Sequence, residues 1–261
     1  MPEGDTVYRA ARTLNEALAG RALTRCDIRV PEFATVDLAG ETVHEVVSRG
    51  KHILIRVGEL TIHSHLKMEG EWRVFAPGAP WRKPAHLARI VLGTADCTAV
   101  GFELGVLEVL PTAREADAVG HLGPDLLAPD WAAADADETV RRLARDPDVP
   151  VAVALLDQRN LAGLGNEYVA ELCFLRGMLP TRPVRDVDLP RTVALAHRLI
   201  VANRDRVVRT TTGDTRRGRT TWVYGRAGQP CRRCGTPIVT GRLGRTQLTE
   251  RATFFCPNCQ S

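Results

Sequence analysis

The stretch LLDQRNLAGLGNEYVAELCFL, residues 155–175, decides the fold. It reads as two helical segments broken by the turn RNLAGLG, in which Gly163 and Gly165 permit backbone geometry that larger residues resist. Asn166 stands where it can cap the second helix. A helix start with exposed amides also favours a phosphate, so Asn166 carries two readings, cap and anion-facing residue. Working outward, TVRRLARDP (139–147), VPVAVALLDQ (149–158) and LPRTVALAHRLIVANRDRVV (189–208) repeat apolar residues three and four apart, as amphipathic helices do.

Upstream the texture is different. HEVV (44–47), HILIRV (52–57), ELTIHSHLKM (59–68) and HLARIVL (86–92) are short strand-like runs separated by Gly, Pro and Asp, which favours a sandwich or barrel over a parallel sheet. A helix precedes them: Val7, Ala10, Ala11, Leu14, Ala17 and Leu18 share a face from Thr6 to Ala19, with Asp5 as the expected cap and Gly20 as the stop. A change to Pro, Asp and Ala marks an expected linker within about 111–131.

Composition narrows the class. With 261 residues, 44% hydrophobic and 25% charged, the chain is long enough for a sizeable core and reads as an ordinary globular protein. No run approaches the roughly 20 apolar residues of a membrane span, and no leader pattern is seen, so a cytoplasmic protein is expected. The net charge of +4 is unevenly spread. Twelve arginines against Asp205, Asp214 and Glu250 give 204–251 a charge of +9, leaving −5 elsewhere. Such a basic tract implies a polyanionic partner. Lysine is confined to Lys51, Lys67 and Lys83.

The last 31 residues contain two C-x2-C pairs, Cys231 with Cys234 and Cys256 with Cys259. Four thiolates at this spacing suit one structural, tetrahedral zinc ion with no open catalytic position. The segment between the pairs is expected to run out along one strand, turn near Thr249–Arg251 and return. Arg251 near that tip could meet a phosphate or stand simply in solvent. In LTIHSHLKM, alternation places His63, His65 and Lys67 on one sheet face, solvated or phosphate-facing, and Met68 in the core. Two histidines on one strand also make half a metal site, without an evident carboxylate partner.

Taken together, MPEG, RGKHILI, HLKMEGEW, LDQRNLAGLGNEYVAE and CRRCG…ERATFFCPNCQ resemble the Fpg/Nei family of DNA glycosylase/AP lyases, in order over nearly the whole chain. The resemblance implies a multidomain α+β protein. It comprises an N-terminal β-sandwich with a leading helix (1–120), a helical helix-two-turns-helix domain (121–225) and a C-terminal four-cysteine zinc hairpin (226–261), with DNA between them. It makes Pro2 the amine nucleophile once Met1 is removed, and Glu3 the acid/base beside it. Lys51 becomes a catalytic lysine near lesion and phosphate, and Arg251 a further catalytic-site cation on a phosphate. His65 and Asn166 become DNA-phosphate holders, and Met68 fills the vacated base stack.

Two departures bear on substrate choice. Thr6 stands where the family often has an acid, leaving any second carboxylate role lost or moved to Asp5. GFELGV at 101–106 stands where the purine-directed branch has an Arg-Arg-Phe patch. The resemblance is therefore to the Nei (endonuclease VIII) branch, although Lys67, Met68 and Glu69 are not its usual wedge residues. It implies a monomeric, bacterial-type, nucleoid-associated enzyme that excises oxidised pyrimidines from duplex DNA and cleaves the strand by β,δ-elimination. The alternatives are excision of oxidised purines by the same fold and noncatalytic, zinc-containing binding of damaged or abasic DNA.

Overall fold

A computed structural model describes residues 2–261. The chain forms two compact units, one through His121 and one spanning Leu122–Ser261. The first begins with α1 (Gly4–Leu18), whose Val7, Ala11, Leu14 and Leu18 are each no more than 2% exposed. These positions are four, three and four apart, so one stripe enters the core. Each buried leucine contributes roughly 1.5–3 kcal/mol. The cap is Glu3, not the expected Asp5: its extended backbone stops short of the helix, and its carbonyl accepts from the Thr6 and Val7 amides at 3.0 Å. Asp5 lies inside the first turn, fully buried, two residues too late to cap.

Eight strands follow: β1 (Arg25–Ile28), β2 (Val43–Arg49), β3 (His52–Val57), β4 (Leu60–His65), β5 (Glu71–Phe75), β6 (Ala88–Gly93), β7 (Thr98–Phe102) and β8 (Val106–Pro111). They make two four-stranded antiparallel sheets, ordered β1-β6-β7-β5 and β2-β3-β4-β8. Ile28, Ile90, Leu92 and Ala99 from one sheet and Val46, Ile53, Ile55, Ile62 and Leu107 from the other share a single core with the α1 stripe. The expected sandwich with a leading helix is thus the observed architecture. A short α2 (Glu115–Val119) closes the unit. There Glu115 takes both Arg56 Nε and Nη2 at 2.7 Å and the Thr61 hydroxyl at 2.6 Å, so its carboxyl is held below the usual range, by Arg56 first.

The second unit contains α3 (Ala133–Leu143), α4 (Val151–Leu156), α5 (Asn166–Leu175) and α6 (Leu189–Asn203), then a hairpin of β9 (Val239–Leu243) and β10 (Arg251–Phe255). Asp188 caps α6 by accepting the Arg191 amide at 3.1 Å. The helical pattern read to Val208 ends at Asn203, whose side chain turns back to accept the Thr210 amide and donate to the Thr210 carbonyl. This local competition with the helix ladder is what asparagine does at helix ends. Ala170 and Phe174 of α5 pack with Val223, Ile238, Cys231 and Cys256, so helical and cysteine-bearing segments share apolar contacts.

Candidate active site

Pro2 is half-buried immediately before α1, and Glu3 is fully buried. The helix that follows is anchored by its core stripe, so these two residues occupy a fixed position instead of a frayed end. Removal of Met1 falls outside the described residues. Asp5 accepts the Thr6 hydroxyl at 3.4 Å, within the first turn of α1.

Lys51 sits in the two-residue turn joining β2 to β3, with Arg49 paired to His52 on either side. Gly50 has φ +58°, and glycine at the first central position with φ above zero fits a hairpin turn whose twist matches its strands. His65 ends β4 directly opposite His52. Its Nδ1 accepts the Lys67 amide at 2.9 Å, so the neutral ring carries its proton on Nε2 as a donor. Burial, with Lys67 and Lys51 adding like charge, pushes this imidazole down to about 4.

The alternation expected through Met68 stops at His65. Lys67 adopts φ +55° and the Gly70 amide donates to the Leu66 carbonyl at 2.9 Å, turning the chain out of the sheet. A Cβ on Gly70 would sit 2.4 Å from that carbonyl oxygen, and one on Gly105 2.3 Å from Lys67 Cγ, so this turn depends on two glycines. Met68 is therefore 60% exposed and not in the core, and Lys67 does not share the histidine face. His63, expected at a solvated or phosphate-facing surface, is 3% exposed, because the His52 ring stacks on it and the Glu108 side chain stands beside it. The 63/65 pair lies outside any metal cluster found among the described residues. In GFELGV only Glu103, Leu104 and Gly105 link β7 to β8, with Glu103 at φ +49° and bonded to Lys83 at 2.5 Å.

In the second unit the loop between α4 and α5 is stapled by Gln158. Its amide donates to the Leu156 and Leu164 carbonyls at 2.9 Å, and its oxygen accepts the Gly163 amide at 3.1 Å. Gly163, at φ +112°, meets the conformational need read from sequence. Asn166 is not the cap. Gly165 is, and the Asn166 side chain donates to the Ala252 carbonyl at 2.7 Å, next to Arg251. Two sequence candidates 85 positions apart are thereby brought together. The hairpin turn spans 244–250, making Arg251 the exposed first residue of β10 and Leu248, 94% exposed, the tip. Gly244 permits this early turn, since a Cβ there would lie 2.6 Å from the Glu250 amide.

The Sγ atoms of Cys231, Cys234, Cys256 and Cys259 all lie within 4.8 Å of one another, a set that can hold a metal ion. The Cys231–Cys259 and Cys234–Cys256 separations are 4.0 and 3.5 Å, close to the roughly 3.8 Å that tetrahedral zinc–sulfur bonds of about 2.3 Å require. Hydrogen bonds from Thr236 lower the Cys234 thiol to about 6, whereas burial raises Cys256 and pushes Cys259 up to about 12, so a metal ion would have to displace the protons of those two thiols.

Two residues escaped the sequence reading. Glu171 is fully buried and accepts the amides of Trp222, Val223 and Tyr224 at 2.7–2.8 Å, with the Thr211 hydroxyl beside them. It ties the arginine-rich segment to α5, and nothing local in NEYVAE signals a partner 51 residues away. His52 could have been found, since the two-residue turn GK fixes its register opposite His65.

Residues 1–103 match the model of the formamidopyrimidine-DNA glycosylase N-terminal domain. A probable endonuclease 8 2 of Streptomyces coelicolor is 56% identical over 266 residues, covering 100% of this chain and 94% of that protein. The DNA-(apurinic or apyrimidinic site) lyase Nei2 of Mycolicibacterium smegmatis is 56% identical over 265 residues, covering 100% and 99%. A Lactococcus lactis formamidopyrimidine-DNA glycosylase, solved non-covalently bound to DNA containing an abasic site, shares the fold at a TM-score of 0.78 and 24% identity over the whole of both chains. No helix among the described residues is long and apolar enough to cross a membrane. With relatives this similar along its full length, the chain belongs to the Fpg/Nei family of DNA glycosylases, on the Nei side of that family.

Proposed function

We propose that this protein is a bifunctional DNA glycosylase/AP lyase that removes oxidised pyrimidines from duplex DNA, acting as a monomer, in the cytoplasm at the nucleoid. The observation that carries the reading is the pairing of Pro2 with a fully buried Glu3 at the anchored start of α1. The Nei-type relatives and the missing Arg-Arg-Phe patch favour pyrimidines over purines.

With Met1 removed, Pro2 presents a secondary amine. An α-amine titrates near 8, so a useful fraction is neutral at physiological pH. After the damaged nucleotide leaves the stack, the amine nitrogen attacks sugar C1′ and the bond from C1′ to the base breaks. Glu3 delivers a proton to the ring oxygen, the sugar opens, and the nitrogen–C1′ bond becomes an iminium. The iminium acidifies the C2′ proton; its loss expels the 3′ phosphate, and a second elimination expels the 5′ phosphate. Lys51 lies near lesion and phosphate. His65, Asn166 and Arg251 hold the backbone: His65 through Nε2–H, Asn166 through the amide proton that Ala252 does not use, and Arg251 through its guanidinium. Met68, exposed on its turn, fills the emptied stack.

The four cysteines would hold one zinc ion, which supplies folding energy to a segment with little core of its own. The division of labour would follow 1–120 for chemistry, 121–225 for strand positioning and 226–261 for the metal hairpin.

Borohydride trapping on abasic duplex tests the nucleophile. A covalent adduct is expected with the mature terminus, and none with a form whose Pro2 nitrogen is blocked by an added residue; equal trapping by both would remove Pro2 from the mechanism. Glu3→Gln should bind DNA yet release damaged bases slowly. A panel of oxidised pyrimidines and 8-oxoguanine then decides the substrate class, with faster purine release overturning the pyrimidine assignment.

A further inference from the structure

Four of the chain's seven histidines gather at one end of the first unit, and the mechanism uses one of them. His52 Nδ1 lies 2.7 Å from His63 Nε2, and the two rings stack with centroids 5.0 Å apart. His52 meets His65 edge to face at 4.9 Å, and His121 meets His52 the same way at 6.2 Å. The buried His63 Nδ1 has no hydrogen-bond partner, but the Glu108 carboxylate stands 3.6 Å away.

These contacts determine where the protons go. The carboxylate favours a proton on His63 Nδ1, which makes His63 Nε2 an acceptor and His52 Nδ1 the donor. At His65 the Lys67 amide occupies Nδ1, so that atom must stay unprotonated. A proton there would break the bond that begins the turn carrying Met68.

We propose that His52 and His63 are positioning residues, which hold the His65 ring so that its Nδ1 keeps the Lys67 amide and its Nε2–H faces the DNA backbone. The idea rests on the reading of His65 as a phosphate holder. Burial first, and then the cost of placing a second positive charge beside His65, His63, His121 and Lys67, pushes His52 down to about 3, in keeping with an array that is neutral near pH 7. The charged or titratable groups around it are Lys51 on the β2–β3 turn, Lys67 beyond β4, Glu108 on β8 and His121 after α2. Their balance, and not one histidine alone, sets the proton positions.

Long-range proton–nitrogen NMR correlation on the full-length protein reads these tautomers directly. His65 should be protonated at Nε2 and His63 at Nδ1 from pH 6.5 to 8; a His65 protonated at Nδ1 would overturn the proposal without any variant. His63→Leu should release the His52 ring from its place against His65, so that the His65 ring leaves the Lys67 amide and loses its single tautomer, and should weaken binding to duplex containing a tetrahydrofuran abasic analogue about tenfold, the scale of one lost charge-assisted contact. His63→Gln, whose amide oxygen can still accept from His52, should restore both. An unchanged tautomer and affinity in His63→Leu, or failure of His63→Gln to restore them, would sink the idea. His65→Ala provides the separate control. Wild-type affinity in that variant would refute His65 as a phosphate holder, and His52 and His63 with it as DNA-positioning residues, while leaving the tautomer assignments standing.

Discussion

Two hairpins present the cations proposed to meet the DNA backbone, and they are held by different forces. The β2–β3 hairpin, with Lys51 in its turn, buries Val43, Val46, Ile53, Leu54, Ile55 and Val57. The β9–β10 hairpin, with Arg251, buries only Thr253 of its ten strand residues. At roughly 1.5–3 kcal/mol for each large apolar side chain, the first is stabilised many times over by the core. The second depends on the cysteine cluster at its base and the Asn166–Ala252 bond at its side. Similar chemistry is proposed for an arm supported by the core and for one braced by four clustered cysteines.

Metal removal should separate them most sharply. Metal binding supplies folding energy of about 10–16 kcal/mol in isolated zinc modules, more than the β9–β10 strands can replace. Chelation, or Cys234→Ser, should cut affinity for an abasic-analogue duplex by more than about a hundredfold while amide exchange at Ile53 and Ile55 stays slow. Loss of protection in β3 on the same timescale would break the contrast. Arg251→Ala comes next. It should weaken binding to damaged and undamaged duplex about tenfold and reduce the slope of log affinity against log salt by about 1. An unaltered slope would show that this guanidinium touches no phosphate.

The same contrast explains what was legible in the sequence. The cysteine pairs, the α1 stripe and the glycine turn before α5 are local patterns, the longest of them spanning the 29 residues from Cys231 to Cys259, and each stands where its pattern places it. Met68 and Lys67 were misplaced because alternation cannot see a strand end that depends on Gly105, nearly forty positions away, leaving room for Lys67. Of the two readings of Asn166, the cap fails because the competing partner, Ala252, belongs to the distant β9–β10 hairpin. Glu171 looked like an ordinary helix acid for the same reason: its amide nest is assembled only in the folded unit. Local pattern therefore sets which element each of these residues lies on, while tertiary hydrogen bonds assign its orientation.

Asn166 tests how far the β9–β10 arm relies on that one bond. Asn166→Ala removes a hydrogen bond worth about 1 kcal/mol, so a roughly fivefold loss of DNA affinity is expected. Asn166→Asp should be worse, because a carboxylate would face the Ala252 carbonyl without a proton to offer. Affinities in the order wild type, Ala, Asp would sharpen the assignment; equal affinities would show that Arg251 needs no such brace.

An effect no larger than that of Asn166→Ala belongs to the core-supported arm and is exposed by acid. His52 and His65 are pushed down to about 3 and about 4, chiefly by burial, whereas an unfolded histidine titrates near 6.5. Between these limits the unfolded chain binds more protons than the folded one, so stability is complete above pH 6.5 and falls as pH drops toward 4. Glu115 acts lower on the scale. Arg56 depresses its carboxyl below the ordinary value of 4.5, and its contribution survives until that range is reached. From pH 7 to 5.5 the histidines therefore dominate, with a combined cost of about 1 kcal/mol once their partial exposure is allowed for. Exchange protection at Ile55 should fall about fivefold over that interval, and His52→Phe should flatten the dependence. A flat profile in the wild-type protein would mean that these imidazoles are already free to charge, and the neutral array beside Lys51 would have to be abandoned.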